Sequence, residues 1–222
     1  KVEQQEPEID ISDSDTQSVK AELEKSEPQI DKTNAVNFHI TPDMEEITGK
    51  GFSPKEKFRQ NVEAIRTLEK IESEHRIATP EEQEILAKYV GWGGLADAFD
   101  ETKANWANEY QELKSLLSSE EYASARESTL NAHYTSPMII KAIYAALDKM
   151  GFEKGNILEP SMGIGNFFGM LPEKMQDSKL FGVELDGITG RIAKQLYQKA
   201  DVQIKGFEKT DFPNDFLVRN RL

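Results

Sequence analysis

The sequence contains no cysteine, so neither a disulfide framework nor a thiolate metal site is available to it. Histidine is scarce: His39, His75 and His133 stand apart with no partner at metal-ligand spacing, and no metal is expected. No apolar run approaches the roughly twenty residues that cross a bilayer, and the first residues are acidic rather than signal-like. The expectation is a cytoplasmic protein without a membrane partner. Positive charge is short as well. Lys and Arg number 27 against 40 Asp and Glu, a net charge of -13, which argues against a broad phosphate-binding surface. Residues 1–31 hold ten acids and three lysines, so part of the excess is local, yet the remainder is still acidic. Any DNA-recognition surface is expected beyond Leu222.

What is present divides the chain into three. Residues 1–37 are rich in Glu, Asp, Gln, Ser and Lys with few aromatics; such a stretch buries too little apolar area to offset ordering entropy and reads as an acidic disordered tail or linker, with a helical tendency near Val19 to Lys25. Residues 38–130 read as a helical subdomain. Phe58, Val62, Ile65, Leu68 and Ile71 recur at helical spacing behind Ser53-Pro54, and Thr79 with Glu82 forms a capping box ahead of Ile85, Leu86, Tyr89 and Val90. Gly91-Trp92-Gly93-Gly94 should end that helix, with Trp92 as a packing anchor. Helices are expected over 102–117 and 119–130, the second opened by Ser119. Residues 131–222 begin with a helix from Pro137 to Met150, whose Ile139, Ile140, Ile143, Tyr144 and Leu147 should lie against a sheet, with Gly151 as its stop.

The most constraining segment follows. Ile157 and Leu158 read as a strand that ends in Glu159, and a turn with Gly163 and Gly165 then leads into Asn166-Phe167-Phe168. Glycines there let backbone approach a ligand. About nineteen residues after Gly165 a second strand, Leu180 to Val183, ends in Glu184, where a doubly wound fold presents an acid to ribose hydroxyls. Phe168 stands where the dinucleotide fingerprint has its third glycine. Glu159 would repel a pyrophosphate but accept from an ammonium group. The balance favours S-adenosylmethionine over NAD. Arg191, Lys194 and Lys199, on or near the next helix, read as a solvated face.

On these strings, together with Ala87-Lys-Tyr-Val-Gly-Trp-Gly-Gly-Leu-Ala96 and Asn131-Ala-His-Tyr-Thr-Ser-Pro137, the chain resembles the amino-type DNA methyltransferases that act on adenine N6. The resemblance is strongest to the N-terminal part of large methylase and helicase-like proteins of bacterial conjugative elements, and it runs from about Asn37 to Asp215. It implies a Rossmann-like α/β methyltransferase sheet, first strands only, after the helical subdomain. It also implies that Tyr134 and Thr135 meet the methionine end of the cofactor, and that Glu159, Pro160, Ser161 and Gly163, with the turn at Gly165, floor the pocket. Glu184 would bind the ribose, Leu185 the adenine ring, and Glu208, in preference to Asp211, the adenine amino group.

One element of that family is missing. Its (Asn/Asp)-Pro-Pro-(Tyr/Phe) motif, which holds the target amine and stacks on a flipped base, occurs nowhere in the 222 residues. The expectation is therefore a cofactor-binding portion with no catalytic residue of its own, truncated or cut short, with DNA a partner only of an intact homologue. Two alternatives stay open: a non-catalytic protein-interaction module, and an NAD- or nucleotide-binding Rossmann protein. An exposed sheet edge would suit a protein partner or a homodimer.

Overall fold

A computed structural model of the chain describes residues 30–41, 52–130 and 135–212. The chain divides into two units, Lys1–Asp31 and Lys32–Leu222; of the first only Ile30 and Asp31 are described, and the elements below belong to the second. The helical tendency near Val19 lies outside the described residues, as do His133 and Tyr134.

Helix α1, Pro54–Ser73, starts at a capping box in which the Ser53 hydroxyl accepts from the Glu56 amide and the Glu56 carboxylate accepts from the Ser53 amide. The apolar stripe from Phe58 to Ile71 is buried as its period requires. Helix α2, Pro80–Leu86, repeats the device with Thr79 and Glu82. It ends before the glycines, at Ala87, and Ile85 and Val90 are only half-buried; Gln83 and Leu86 form its buried side. Helices α3, Ala107–Leu116, and α4, Ser119–Ser128, follow. The α4 cap is Ser118, the residue before the serine expected to open the helix: its hydroxyl accepts from the Glu121 amide and completes a capping box.

These helices close on an aromatic cluster. Trp92 is 2% exposed and meets Phe58, Tyr89 and Phe99 edge-on at centroid separations of 6.2, 6.4 and 5.4 Å. Buried Asn61 pins the glycine loop, donating to the Gly91 carbonyl at 2.6 Å and accepting from the Val90 amide at 2.9 Å. A mid-helix amide is tolerated there because both of its ends are satisfied.

Helix α5, Pro137–Lys149, departs from its expected packing. Only Ile140 and Tyr144 are buried, while Ile139 and Ile143 are exposed along with Met138 and Met150. The helix is apolar on nearly every side, so periodicity could not select the face that packs.

Beyond it the chain forms a mixed α/β arrangement around a parallel three-stranded sheet in the order β1-β2-β3: Asn156–Glu159, Lys179–Glu184 and Asp201–Ile204. The register sets Glu159 beside Gly182 and Glu184 beside Ile204, so the acids that end β1 and β2 stand at the same edge of the sheet. A short helix α6, Asn166–Gly169, joins β1 toward β2, and α7, Gly187–Leu196, joins β2 to β3. Two glycines make the close packing possible. Gly165 has φ 87°, and a Cβ there would sit 2.3 Å from the Tyr197 ring; at Gly182 a Cβ would meet the Met162 sulfur at 2.2 Å.

The helical part is tied to the sheet through α7. The Gln83 side-chain amide donates to the Gln195 and Leu196 carbonyls at 2.9 and 3.1 Å, and Gln198 donates to the Ala78 carbonyl at 2.8 Å. Arg191 does not lie on a solvated face: its guanidinium bridges Glu72 of α1 and Glu121 of α4. Residues 36–40 also join this core, with Phe38 donating to the Leu196 carbonyl at 2.7 Å and Ile40 to the Gly169 carbonyl at 2.8 Å. Among the described residues no helix is long and apolar enough to cross a membrane.

Candidate functional site

A cavity of about 470 Å³ opens at the C-terminal ends of β1 and β2, the position at which open α/β sheets take ligands. Its floor is Glu159, Ser161, Met162 and Gly163; one wall is Glu184, Leu185, Asp186 and Thr189, with Asn166 and Phe167 at the start of α6. The opposite wall comes from the helical part: Tyr89, Gly91, and Ser124, Glu127 and Ser128 of α4. Thr135 completes the rim.

The wall is built by backbone donors turned onto carboxylates. Glu184 accepts from the Gly163 amide at 2.8 Å through one oxygen and from the Asp186 amide at 2.9 Å through the other. Its carboxylate thus sets the curvature of the glycine turn and of the next loop together. Asp186 caps α7 by accepting from the Thr189 amide at 2.8 Å, and its second oxygen accepts from the Ser124 hydroxyl at 2.9 Å, which latches α4 over the opening. Both Glu184 oxygens and Asp186 Oδ2 keep a second lone pair for a ligand, whereas Asp186 Oδ1 also accepts from the Thr189 hydroxyl at 2.6 Å.

The floor is different. Glu159 Oε2 and Asn166 Oδ1 are both buried acceptors without a hydrogen-bond partner. Such groups are rare because each forgoes its hydration without compensation. Burial, and then the nearby Glu184 carboxylate, push the Glu159 acid up to about 8. The Tyr144 and Tyr197 phenols beside it are raised as well, chiefly by burial and then by the Glu159 charge. Tyr144 spends its proton on the Phe167 carbonyl at 2.7 Å rather than on Glu159. Among the described residues, four acids line the cavity, Glu127, Glu159, Glu184 and Asp186, and no Lys, Arg or His does.

The residues singled out from sequence therefore fall into two groups. Thr135, Glu159, Ser161, Gly163, Glu184 and Leu185 line one cavity. Pro160 is exposed on the turn, Gly165 is buried under Tyr197, and Glu208 sits exposed in the 3₁₀ turn Phe207–Lys209, all outside the lining. Asp211, the alternative to Glu208, is also exposed and outside the lining. Tyr134 lies outside the described residues. Asn166, Asp186 and the α4 residues were not picked out. Asn166 and Asp186 adjoin the residues that were, but nothing local marks Ser124 or Glu127, which arrive from across the fold.

The geometry defines a mixed α/β unit with a ligand-sized, acid-lined cavity at its strand ends. In sequence this chain is similar to Defense against restriction protein B of Escherichia phage P1, with 25% identity over 186 residues that make up 82% of this chain and 7% of that protein. It thus spans about 7% of the relative's length. No family model matches the chain. No solved structure matches it. These findings correct the assignment to the adenine-N6 DNA methyltransferases and the DNA-methylation role drawn from it: no such family model matches, and the relative carries the name of a defence protein. The physical reason is that an acid, a glycine turn and a second acid at strand ends describe a way of holding a ligand, and several chemistries share it.

Proposed function

We propose that the cavity binds a cationic nucleoside, with S-adenosylmethionine as the leading candidate, and that the chain serves as the ligand-binding portion of a larger protein. The observation that carries this reading is the lining itself: among the described residues, four acids, no base, and two buried acceptors, Glu159 Oε2 and Asn166 Oδ1, that lack donors. A ligand with an ammonium group supplies those donors, whereas a pyrophosphate would face uncompensated repulsion. Glu184, held by two backbone amides, is positioned to accept from vicinal ribose hydroxyls, and exposed Leu185 offers an apolar surface to a base. The 1-2-3 parallel order matches one half of a doubly wound sheet, which supports a Rossmann-like relationship for these strands. The name of the relative suggests a setting, defence against restriction, in which such a portion would serve.

The test is thermal unfolding of the full chain with S-adenosylmethionine, NAD or ATP. A ligand at a hundred times its Kd stabilises the native state by about 2.7 kcal/mol. The expected result is a rise in Tm with S-adenosylmethionine alone. A rise with NAD or ATP and none with S-adenosylmethionine would overturn the proposal.

A second reading, contact with a protein partner, is favoured by the uncovered apolar side of α5, where Met138, Ile139, Ile143 and Met150 are exposed. Solution mass at high concentration checks its homodimeric form; a monomer there would exclude it.

A further inference from the structure

Glu159 sits where a carboxylate is hardest to keep charged. Its Oε2 is buried without a donor, the Glu184 carboxylate of β2 stands beside it, and the described residues of the lining supply no cation. The groups that face it from the surrounding elements are Glu184, Tyr144 of α5 and Tyr197 just after α7; Glu127 of α4 and Asp186 line the same cavity. Not one of them can offset a negative charge on Glu159.

We propose that Glu159 is a cation-for-proton exchange site: it is a neutral acid in the empty cavity and gives up its proton to solvent when a cationic ligand amine takes the place beside Oε2. The inference rests on the cationic-ligand reading above and adds its ionic bookkeeping. The O–H bond of the carboxyl breaks, the proton goes to the buffer, and the resulting carboxylate accepts hydrogen bonds from the ammonium, so one positive charge leaves as another enters. The raised pKa of Glu159, about 8, places this exchange in the neutral range. Both phenols are shifted upward and stay protonated there, so neither supplies the proton. The site would then discriminate in two ways: it favours amines over neutral analogues, and it tightens as pH rises.

The test is titration calorimetry of the full chain with S-adenosylmethionine at pH 6 and pH 7, each in two buffers of different ionisation enthalpy. Both values lie below the ordinary range of an α-amine, about 7.7–8.0, so the ligand stays charged. The expected result is close to one proton released per ligand bound and a roughly tenfold gain in affinity from pH 6 to pH 7. The Glu159→Gln variant should bind with no proton release and no pH dependence over this interval. Carboxyl-carbon NMR of the ligand-free chain provides a readout independent of binding, with Glu159 titrating near pH 8. Binding without proton release, at equal affinity at both pH values, overturns the exchange and leaves the ligand reading standing. So does proton release that persists in the Gln variant, or a Glu159 midpoint in the ordinary carboxylate range. Absence of any S-adenosylmethionine binding overturns the ligand reading and the exchange together.

Discussion

The helical part and the sheet part of this chain use their side chains in opposite ways. From α1 to α4 the apolar residues converge on a closed aromatic cluster around Trp92; the buried amides of Asn61 and Gln83 are hydrogen-bonded, while Gln60 Oε1 and Trp92 Nε1 are buried there without a partner. From α5 to β3 the chain leaves an open cavity, two buried acceptors without donors, and a helix with much of its apolar surface exposed. The first region is arranged for stability. What sets the second apart is that its two unmet acceptors, on Glu159 and Asn166, belong to residues lining an open cavity, and unmet polar demand next to open space marks where a molecule from outside is expected.

The contrast can be broken most sharply in the helical part. Trp92→Ala removes a side chain packed on three rings and should lower stability by about 3–5 kcal/mol, read by chemical denaturation. Glu159→Gln should act in the opposite direction. Its carboxyl titrates higher in the folded chain than the ordinary value of 4.5, so the contribution of this one group is fully present below pH 4.5 and is lost as pH rises through about 8. The variant lacks this slope, and at pH 8.5 it should be more stable than the wild type by about 2–4 kcal/mol in urea titrations. Gly165→Ala tests whether the turn under the cavity is sterically set: with φ 87° and Tyr197 in the way, the expected loss is about 1–3 kcal/mol, seen as a lower Tm. Arg191→Met separates the two regions most gently. Its pairs with Glu72 and Glu121 are a third exposed and screened by water, so the loss should be about 1 kcal/mol or less and should shrink further in high salt.

Much of this arrangement was legible in the sequence, and the exceptions share a cause. The caps at Ser53 and Thr79 and the buried stripe of α1 are local patterns, and they stand where the periodicity puts them. The strand ends at Glu159 and Glu184 are also local, as is the glycine turn between them, and they meet at one cavity. The α4 cap slipped by one residue because Ser118 and Ser119 are adjacent and both precede acids. The packed face of α5, the ion pairs of Arg191 and the cavity wall from Ser124 and Glu127 depend on residues distant in sequence, which no period or spacing encodes. The methyltransferase assignment failed for a different reason. Six of the residues it rested on do line one cavity, but an acid, a glycine turn and a second acid describe a way to hold a ligand and name no reaction, and no family model or relative supports that one.

The most direct test of the central claim, that the cavity at the strand ends is the ligand site, is an amide NMR titration of the full chain with S-adenosylmethionine. The account predicts saturable shifts of the Gly163 and Asp186 amides, which are hydrogen-bonded to Glu184, and of Asn166 beside Glu159, while the α1 amides from Phe58 to Leu68 stay in place. Shifts confined to α1, or none at any concentration of ligand, would contradict it.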